Sequence, residues 1–104
     1  MIVLIVNGEN IKKNVTIREV EELLGGRYTQ RVIITKAGYR ICVWYNNKGK
    51  GNIRRVRVQG GEMLTVRGTI IFVHEEYGAY EDITDEDIGI IMLAMEGLCN
   101  DGTR

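Results

Sequence analysis

The sequence predicts an α+β domain: an antiparallel meander sheet of four to six strands with a short N-terminal helix and a C-terminal helix packed on one face. Three features predict it. The 104 residues suit a single domain, 1–104, with one core. Short runs rich in β-branched and aromatic residues, parted by glycine-containing turns, fill the middle of the chain. Two segments with helix-start signals bracket those runs, one toward each end.

Met1 to Val6 is continuously apolar and rich in β-branched residues, as a buried strand requires. Asn7-Gly8 signals a turn. Thr16 to Leu24 reads as a helix. Thr16 and Glu19 have the spacing of a capping box, in which each side chain satisfies the other's exposed backbone N–H, and such a cap is worth about 1 kcal/mol. Ile17, Val20 and Leu24 share one face, and Gly25-Gly26 ends the helix because glycine accepts left-handed geometry. Strands follow at Thr29 to Thr35 and Tyr39 to Tyr45, parted by Lys36-Ala37-Gly38. Residues Asn46 to Asn52 form a polar, glycine-rich loop. Ile53 to Val58 is the next strand, Gln59-Gly60-Gly61 a turn, and Glu62 to His74 one or two strands in which Gly68 marks a bulge or a close backbone approach.

The last helix is expected from Asp85 to Cys99. Thr84 is its N-cap, and Asp85, Glu86 and Asp87 meet the positive end of the helix dipole. Ile88, Ile91, Met92, Met95 and Cys99 form a stripe, and Ile90, Leu93 and Ala94 carry apolar character beyond it. A helix apolar on most sides needs cover on more than one side. The sheet is one cover, and a second copy of the chain in a two-fold dimer is the expected other. Residues 100–104 are expected to fray.

Composition narrows the function classes. The longest apolar run, Ile88 to Met95, contains a glycine and is too short to span a bilayer. Met1 to Val6 lacks the basic region and cleavage site of a signal peptide, so a cytoplasmic location is expected. Cys42 and Cys99 make no disulfide framework, and with the single His74 they have no zinc-site spacing. No phosphate-loop or dinucleotide fingerprint is present, and no catalytic residue, metal or cofactor is expected.

Charge is sorted along the chain although its formal net charge is zero. Residues 27–67 hold ten basic residues and one acidic, net +9; residues 68–104 hold nine acidic and one basic, net −8. In one reading the two blocks neutralise each other across the sheet and nothing is bound there. In the other, the basic segment presents an anion-binding face. Lys48, Lys50, Arg54, Arg55 and Arg57 are its candidate residues, with Arg55 and Arg57 on one side of their strand and Arg54 on the other. Arginine forks match phosphate oxygens, and the glycines beside Lys48 and Lys50 let backbone N–H groups approach a ligand. Trp44 and Tyr45 are the candidates to stack on a base. Double-stranded DNA fits poorly, since the −8 segment repels its backbone wherever the two lie close.

Several motifs occur in an order that carries a resemblance. They are the opening strand, the helix ending in Leu24-Gly25-Gly26, Val43 to Lys50 with its Asn46-Asn47-Lys48-Gly49 turn, Val66-Arg67-Gly68-Thr69 before an apolar strand, and Ile83-Thr84-Asp85-Glu86-Asp87-Ile88. In that order the chain resembles a family of uncharacterised small domains encoded by bacteriophages and mobile elements. It departs from the family where Gly51-Asn52-Ile53-Arg54-Arg55 replaces a stretch that tends to hold prolines and an asparagine. The resemblance implies a phage or mobile-element origin and supplies no catalytic residues. Joined to the basic segment, it points to a non-enzymatic anti-defence protein that sequesters a phosphate-bearing ligand, such as an immune signalling nucleotide, in the host cytoplasm. The alternatives are a protein–protein inhibitor of a host nuclease or CRISPR effector, and a small nucleotide hydrolase with His74, Glu75 and Glu76 as its first candidate residues.

Overall fold

The computed structural model describes residues 1–96, so the expected continuation of the last helix to Cys99 and the tail 100–104 lie outside the described residues. The fold is α+β. In chain order the elements are β1 (Ile2–Asn7), β2 (Glu9–Asn14), α1 (Ile17–Leu24), β3 (Thr29–Lys36), β4 (Tyr39–Tyr45), β5 (Ile53–Arg57), β6 (Met63–Arg67), β7 (Ile70–Glu76), β8 (Ala79–Glu81) and α2 (Asp85–Glu96). No helix among the described residues is long and apolar enough to cross a membrane.

Six strands form one antiparallel sheet in the order β2-β1-β7-β4-β3, with β8 also paired to β7. β1 pairs with Ile70–Phe72 and β8 with His74–Glu76, so the two share one edge of β7 in succession. β5 and β6 form a separate two-stranded ribbon. The β3–β4 hairpin follows the expected meander, but β7 inserts between β1 and β4, an order no local signal announces.

β7 explains the apolar runs. Ile70, Ile71, Phe72, Val73 and His74 are all buried, which requires cover on both faces because side chains alternate along a strand. Ile70 and Phe72 join Leu4, Val43, Val56, Val66, Ile91 and Ala94 in one core. Ile71 and Val73 join Val3, Ile5, Trp44, Val20 and Leu24 in the other. α2 and the ribbon therefore cover one face of the sheet, and α1 covers the opposite one. β2 is exposed along its whole length, and its Lys12 and Lys13 make it an edge strand that resists pairing with other chains.

Both helices begin in capping boxes. Thr16 Oγ1 accepts from the Glu19 N–H at 3.2 Å while Glu19 Oε1 accepts from the Thr16 N–H at 2.9 Å. Gly25, at φ 80°, closes α1. In α2, Thr84 Oγ1 accepts from the Asp87 N–H at 3.1 Å and Asp87 Oδ2 accepts from the Thr84 N–H at 2.9 Å. Asp87 is buried because it has a second duty. His74 Nδ1 lies 2.7 Å from Asp87 Oδ2 and His74 Nε2 lies 3.0 Å from Glu76 Oε1, with the Tyr39 ring stacked on the imidazole at 4.6 Å. Both partners are carboxylates, an arrangement that favours the ring form donating from both nitrogens. Burial pulls the His74 pKa down, but the hydrogen bonds to Glu76 and Asp87 outweigh it, and the net shift is upward.

Two stability outcomes follow from this packing. Ile91 is fully buried between α2 and the sheet, so Ile91→Ala is expected to cost about 2–5 kcal/mol in urea unfolding. A raised histidine pKa stabilises fully below the unfolded value of about 6.5, and that stabilisation is lost as pH rises through the folded value. The urea midpoint should fall as pH rises above about 6.5, and His74→Gln should remove most of that fall. An unchanged pH dependence in the variant contradicts the pairing.

Candidate anion-binding site

The register of the sheet separates the charged blocks. Tyr45 pairs with Ile70 and Tyr39 with Glu76, so loop 46–52 and the step 67–69 lie at one end of the sheet, and the Tyr77-Gly78 turn lies at the other. The first end carries Arg27, Lys48, Lys50 and Arg67. The second carries Glu75, Glu76, Glu81 and Asp82, with Asp85 and Glu86 at the start of α2. Among the described residues, Arg40 alone of the ten cations in 27–67 pairs with an acid beyond residue 67, reaching Glu75 at 2.6 Å. Arg31 pairs with Glu62 of its own segment. The blocks do not neutralise each other.

Asn46 builds the basic end. Its Nδ2 donates to the Leu24 carbonyl at 2.8 Å, taking up an open acceptor at the end of α1, and its Oδ1 accepts from the Lys48 N–H at 2.8 Å. Its carbonyl accepts from the Gly49 N–H at 3.0 Å. Asn47 Nδ2 donates to Thr29 Oγ1 at 3.0 Å. The loop then presses backbone against backbone. A Cβ at Gly49 would overlap the Arg67 carbonyl oxygen, and one at Gly68, which has φ +87°, would lie 2.8 Å from the Lys50 carbonyl oxygen. The Gly68 N–H donates to the Asn52 carbonyl at 3.0 Å.

Three clefts open around this knot. The largest, about 580 Å³, is lined by Gly25, Arg27, Tyr28, Thr29, Asn46, Asn47 and Lys48. A second, about 190 Å³, runs between Tyr45, Asn46, Asn47, Gly49 and the β6 residues Thr65 to Arg67. A third, about 180 Å³, lies between Glu22 and the end of α1 on one side and Lys50, Arg67, Gly68 and Thr69 on the other. Arg27, Lys48, Lys50 and Arg67 are exposed, and none forms an ion pair among the described residues.

Of the residues expected from the sequence, Lys48 and Lys50 stand at these clefts, and Tyr45 lines the second with the little of its surface that is exposed. Arg54 is half-buried and its Nε donates to the Gly68 carbonyl at 3.2 Å, so it holds the knot rather than facing a ligand. Arg55 is exposed and pairs across the ribbon with Thr65. Arg57 lies at the far end of β5, donates from Nη1 to the Gly61 carbonyl, and lines an apolar cleft with Ile33, Ile34 and Ile90. Trp44 and Tyr45 are 1% and 6% exposed, so neither offers a ring face to a base. The sheet is covered on both faces at this point, which puts the two rings in opposite cores. Trp44 instead supports Tyr28, whose half-buried ring lies 5.0 Å away at 38° and lines the largest cleft. Burial, aided by Glu21, raises the Tyr28 pKa and keeps its hydroxyl a donor at neutral pH. Tyr28, Arg27 and Arg67 were not singled out from the sequence. The only local signal for the first two is their place directly after the helix-ending glycines.

The opposite end is built differently. Both His74 nitrogens are taken up by carboxylates within the fold, which suits a structural role. Cys42 is buried, and burial pushes its pKa up to about 11, which makes it an unreactive thiol. Among the described residues no group of three histidine, cysteine or acidic side chains is arranged to hold a metal ion.

The knot predicts opposite responses at two glycines. Gly49→Ala should lower stability by about 1–3 kcal/mol because its backbone must move. Gly89→Ala, in α2 with open space around it, should raise stability by about 0.5–1 kcal/mol through helix propensity. Thermal and urea unfolding of the two variants check this, and a neutral Gly49→Ala contradicts the packing of the loop. Comparison of the chain with protein-family models, with curated proteins and with solved structures finds no match.

Proposed function

We propose that this chain binds and sequesters a phosphate-bearing ligand, with a nucleotide as the ligand class, at the end of the sheet where loop 46–52 meets Gly68. One observation carries the reading. Arg27, Lys48, Lys50 and Arg67, none of them in an ion pair among the described residues, surround clefts that one acid, Glu22, also lines and whose wall offers an aromatic ring, Tyr28, and an amide, Asn47. Cations hold phosphate through charge-assisted hydrogen bonds, the ring stacks on a base, and the free Oδ1 of Asn47 accepts from a base edge or a sugar hydroxyl. The resemblance to phage-encoded domains supports an anti-defence setting, in which the ligand is an immune signalling nucleotide held in the host cytoplasm.

Calorimetry against a panel of linear and cyclic nucleotides tests the reading, with double-stranded DNA as a control. Each lost cation–phosphate contact is worth about 1.5–3 kcal/mol, so Lys48→Glu is expected to weaken binding by at least about tenfold. Arg55→Glu should have a smaller effect, because Arg55 lines none of the three clefts. Equal losses at Lys48 and Arg55 would mean diffuse attraction rather than a site.

A protein partner is the second reading, and the ribbon favours it. By register, Ile53, Arg55 and Arg57 share one face with Met63, Thr65 and Arg67. Ile53 is 52% and Met63 37% exposed there, a mixed basic and apolar surface suited to an acidic protein. Retention of a host protein with no nucleotide binding below about 100 μM selects this reading. The expected dimer belongs to the same proposal, since Ile33, Ile34, Ile90 and Ala94 line an open apolar cleft. Light scattering should then report twice the 11.8 kDa chain mass, and a single-chain mass excludes the dimer.

A further inference from the structure

We propose that Asn7 is a site of spontaneous covalent modification, at which the side-chain amide is lost as ammonia and a carboxylate takes its place. The proposal is independent of any ligand and rests on the turn between β1 and β2.

An asparagine loses ammonia when the backbone nitrogen of the next residue reaches its side-chain carbonyl carbon. A side chain on that next residue obstructs the approach, and so does a hydrogen bond that holds the amide. Six asparagines lie among the described residues, and five of them meet an obstacle. Asn10, Asn14 and Asn52 precede the β-branched Ile11, Val15 and Ile53, while Asn46 precedes Asn47 and Asn47 precedes Lys48. Four are also held: Asn10 by Met92 Sδ, Asn14 by the Met1 amine, Asn46 by the Leu24 carbonyl and the Lys48 N–H, and Asn47 by Thr29 Oγ1. Asn7 differs on both counts. It precedes Gly8, the single Asn-Gly step in the chain, and its side chain makes no hydrogen bond among the described residues. Both residues are exposed, and a Cβ at Gly8 would meet nothing within 4 Å.

The position in the sheet leaves Asn7 free to turn. It pairs with Glu9 of the exposed edge strand β2, and the pairing of β1 with β7 stops one residue earlier, at Val6 and Ile70. Val6 is also the last buried residue of β1, so opening the tip of the hairpin disturbs neither core. In the reaction the Gly8 nitrogen gives its proton to hydroxide and bonds to Asn7 Cγ. The Cγ–Nδ2 bond breaks, and Nδ2 takes a proton from water and leaves as ammonia. One water then opens the five-membered imide, leaving a carboxylate and an amide, either as aspartate or as its isomer linked to Gly8 through Cγ. No oxidant or reductant is consumed. By register the new carboxylate stands at the same end of the sheet as Gly68 and Thr69, and the formal charge of the chain falls from zero by one.

Mass-spectrometric peptide mapping of the folded chain after prolonged warm incubation tests the proposal, at mildly acidic and at mildly alkaline pH. The expected product is one mass unit heavier and elutes from ion exchange as a more acidic species. Its change maps to Asn7 ahead of the other five asparagines, and it forms faster at the higher pH. Gly8→Asp adds a side chain that tolerates the left-handed φ of +80°, and it should leave Asn7 as the amide. An unchanged urea midpoint verifies that this variant folds, and the order of conversion among the six asparagines is read on the unmodified chain without it. An intact Asn7 in the folded chain, earlier conversion at another described asparagine, or equal conversion of Asn7 in folded Gly8→Asp overturns the proposal.

Discussion

Two stretches of backbone touch with no side chain between them, Gly49 on the Arg67 carbonyl and Gly68 on the Lys50 carbonyl, and the basic end of the molecule depends on that contact. Glycine is costly to order, since it loses more chain entropy on folding than any other residue. The contact returns a loop whose course is fixed by hydrogen bonds from Asn46 to the end of α1 and from Gly68 to Asn52. Arg54 reinforces it from the ribbon by donating to the Gly68 carbonyl. The loop thus ties three separate units together: the helix on one face, the ribbon on the other, and the β4–β7 pair between them. Lys48 and Lys50 are carried on a braced strap, and for a binding site that lowers the ordering cost a ligand has to overcome.

β7 supplies the second constraint. By inserting between β1 and β4 it sends the basic loop and the acidic turn to opposite ends of one strand. Seven residues at about 3.3 Å each separate the ends by roughly 20 Å, more than the screening length of about 8 Å at physiological salt. The acidic end therefore cannot neutralise the basic one, where Glu22 is the one acid among the residues that line the three clefts. Such a charge distribution orients an anionic partner before contact and speeds its arrival at one end.

How much of this could be read from the sequence depends on whether a feature is local. The capping box at Thr16 and Glu19, the glycine stop at Gly25 and the strands expected at Thr29 to Thr35 and Tyr39 to Tyr45 are written in contiguous residues, and they appear, the first one residue longer, to Lys36. The close approach at Gly68 was also legible, because a glycine within a strand pattern has few other uses. β2 escaped because Glu9–Asn14 is polar on both faces, as an edge strand can be. The strand order escaped because the pairing of Ile5 with Ile71 joins segments with no shared local signal. The same limit governs the site. Lys48 and Lys50 belong to one loop with a telling composition, whereas Tyr28, Arg27 and Arg67 reach it only through strand pairing. By composition Trp44 and Tyr45 can serve either a core or a base, and alternation along β4 sends one to each face. Cover on both sides turns that alternation inward, into two different cores.

The central claim is that the basic end around loop 46–52 is where the ligand sits. Amide chemical-shift mapping of the isotopically labelled chain during titration with the tightest-binding nucleotide of the calorimetry panel tests it most directly. The predicted result is saturable shifts concentrated at Arg27, Tyr28, Asn47, Lys48, Gly49 and Arg67, with His74 and Asp87 at the opposite end unmoved. Shifts spread evenly over every exposed cation, or centred on the Tyr77-Gly78 turn, would contradict it.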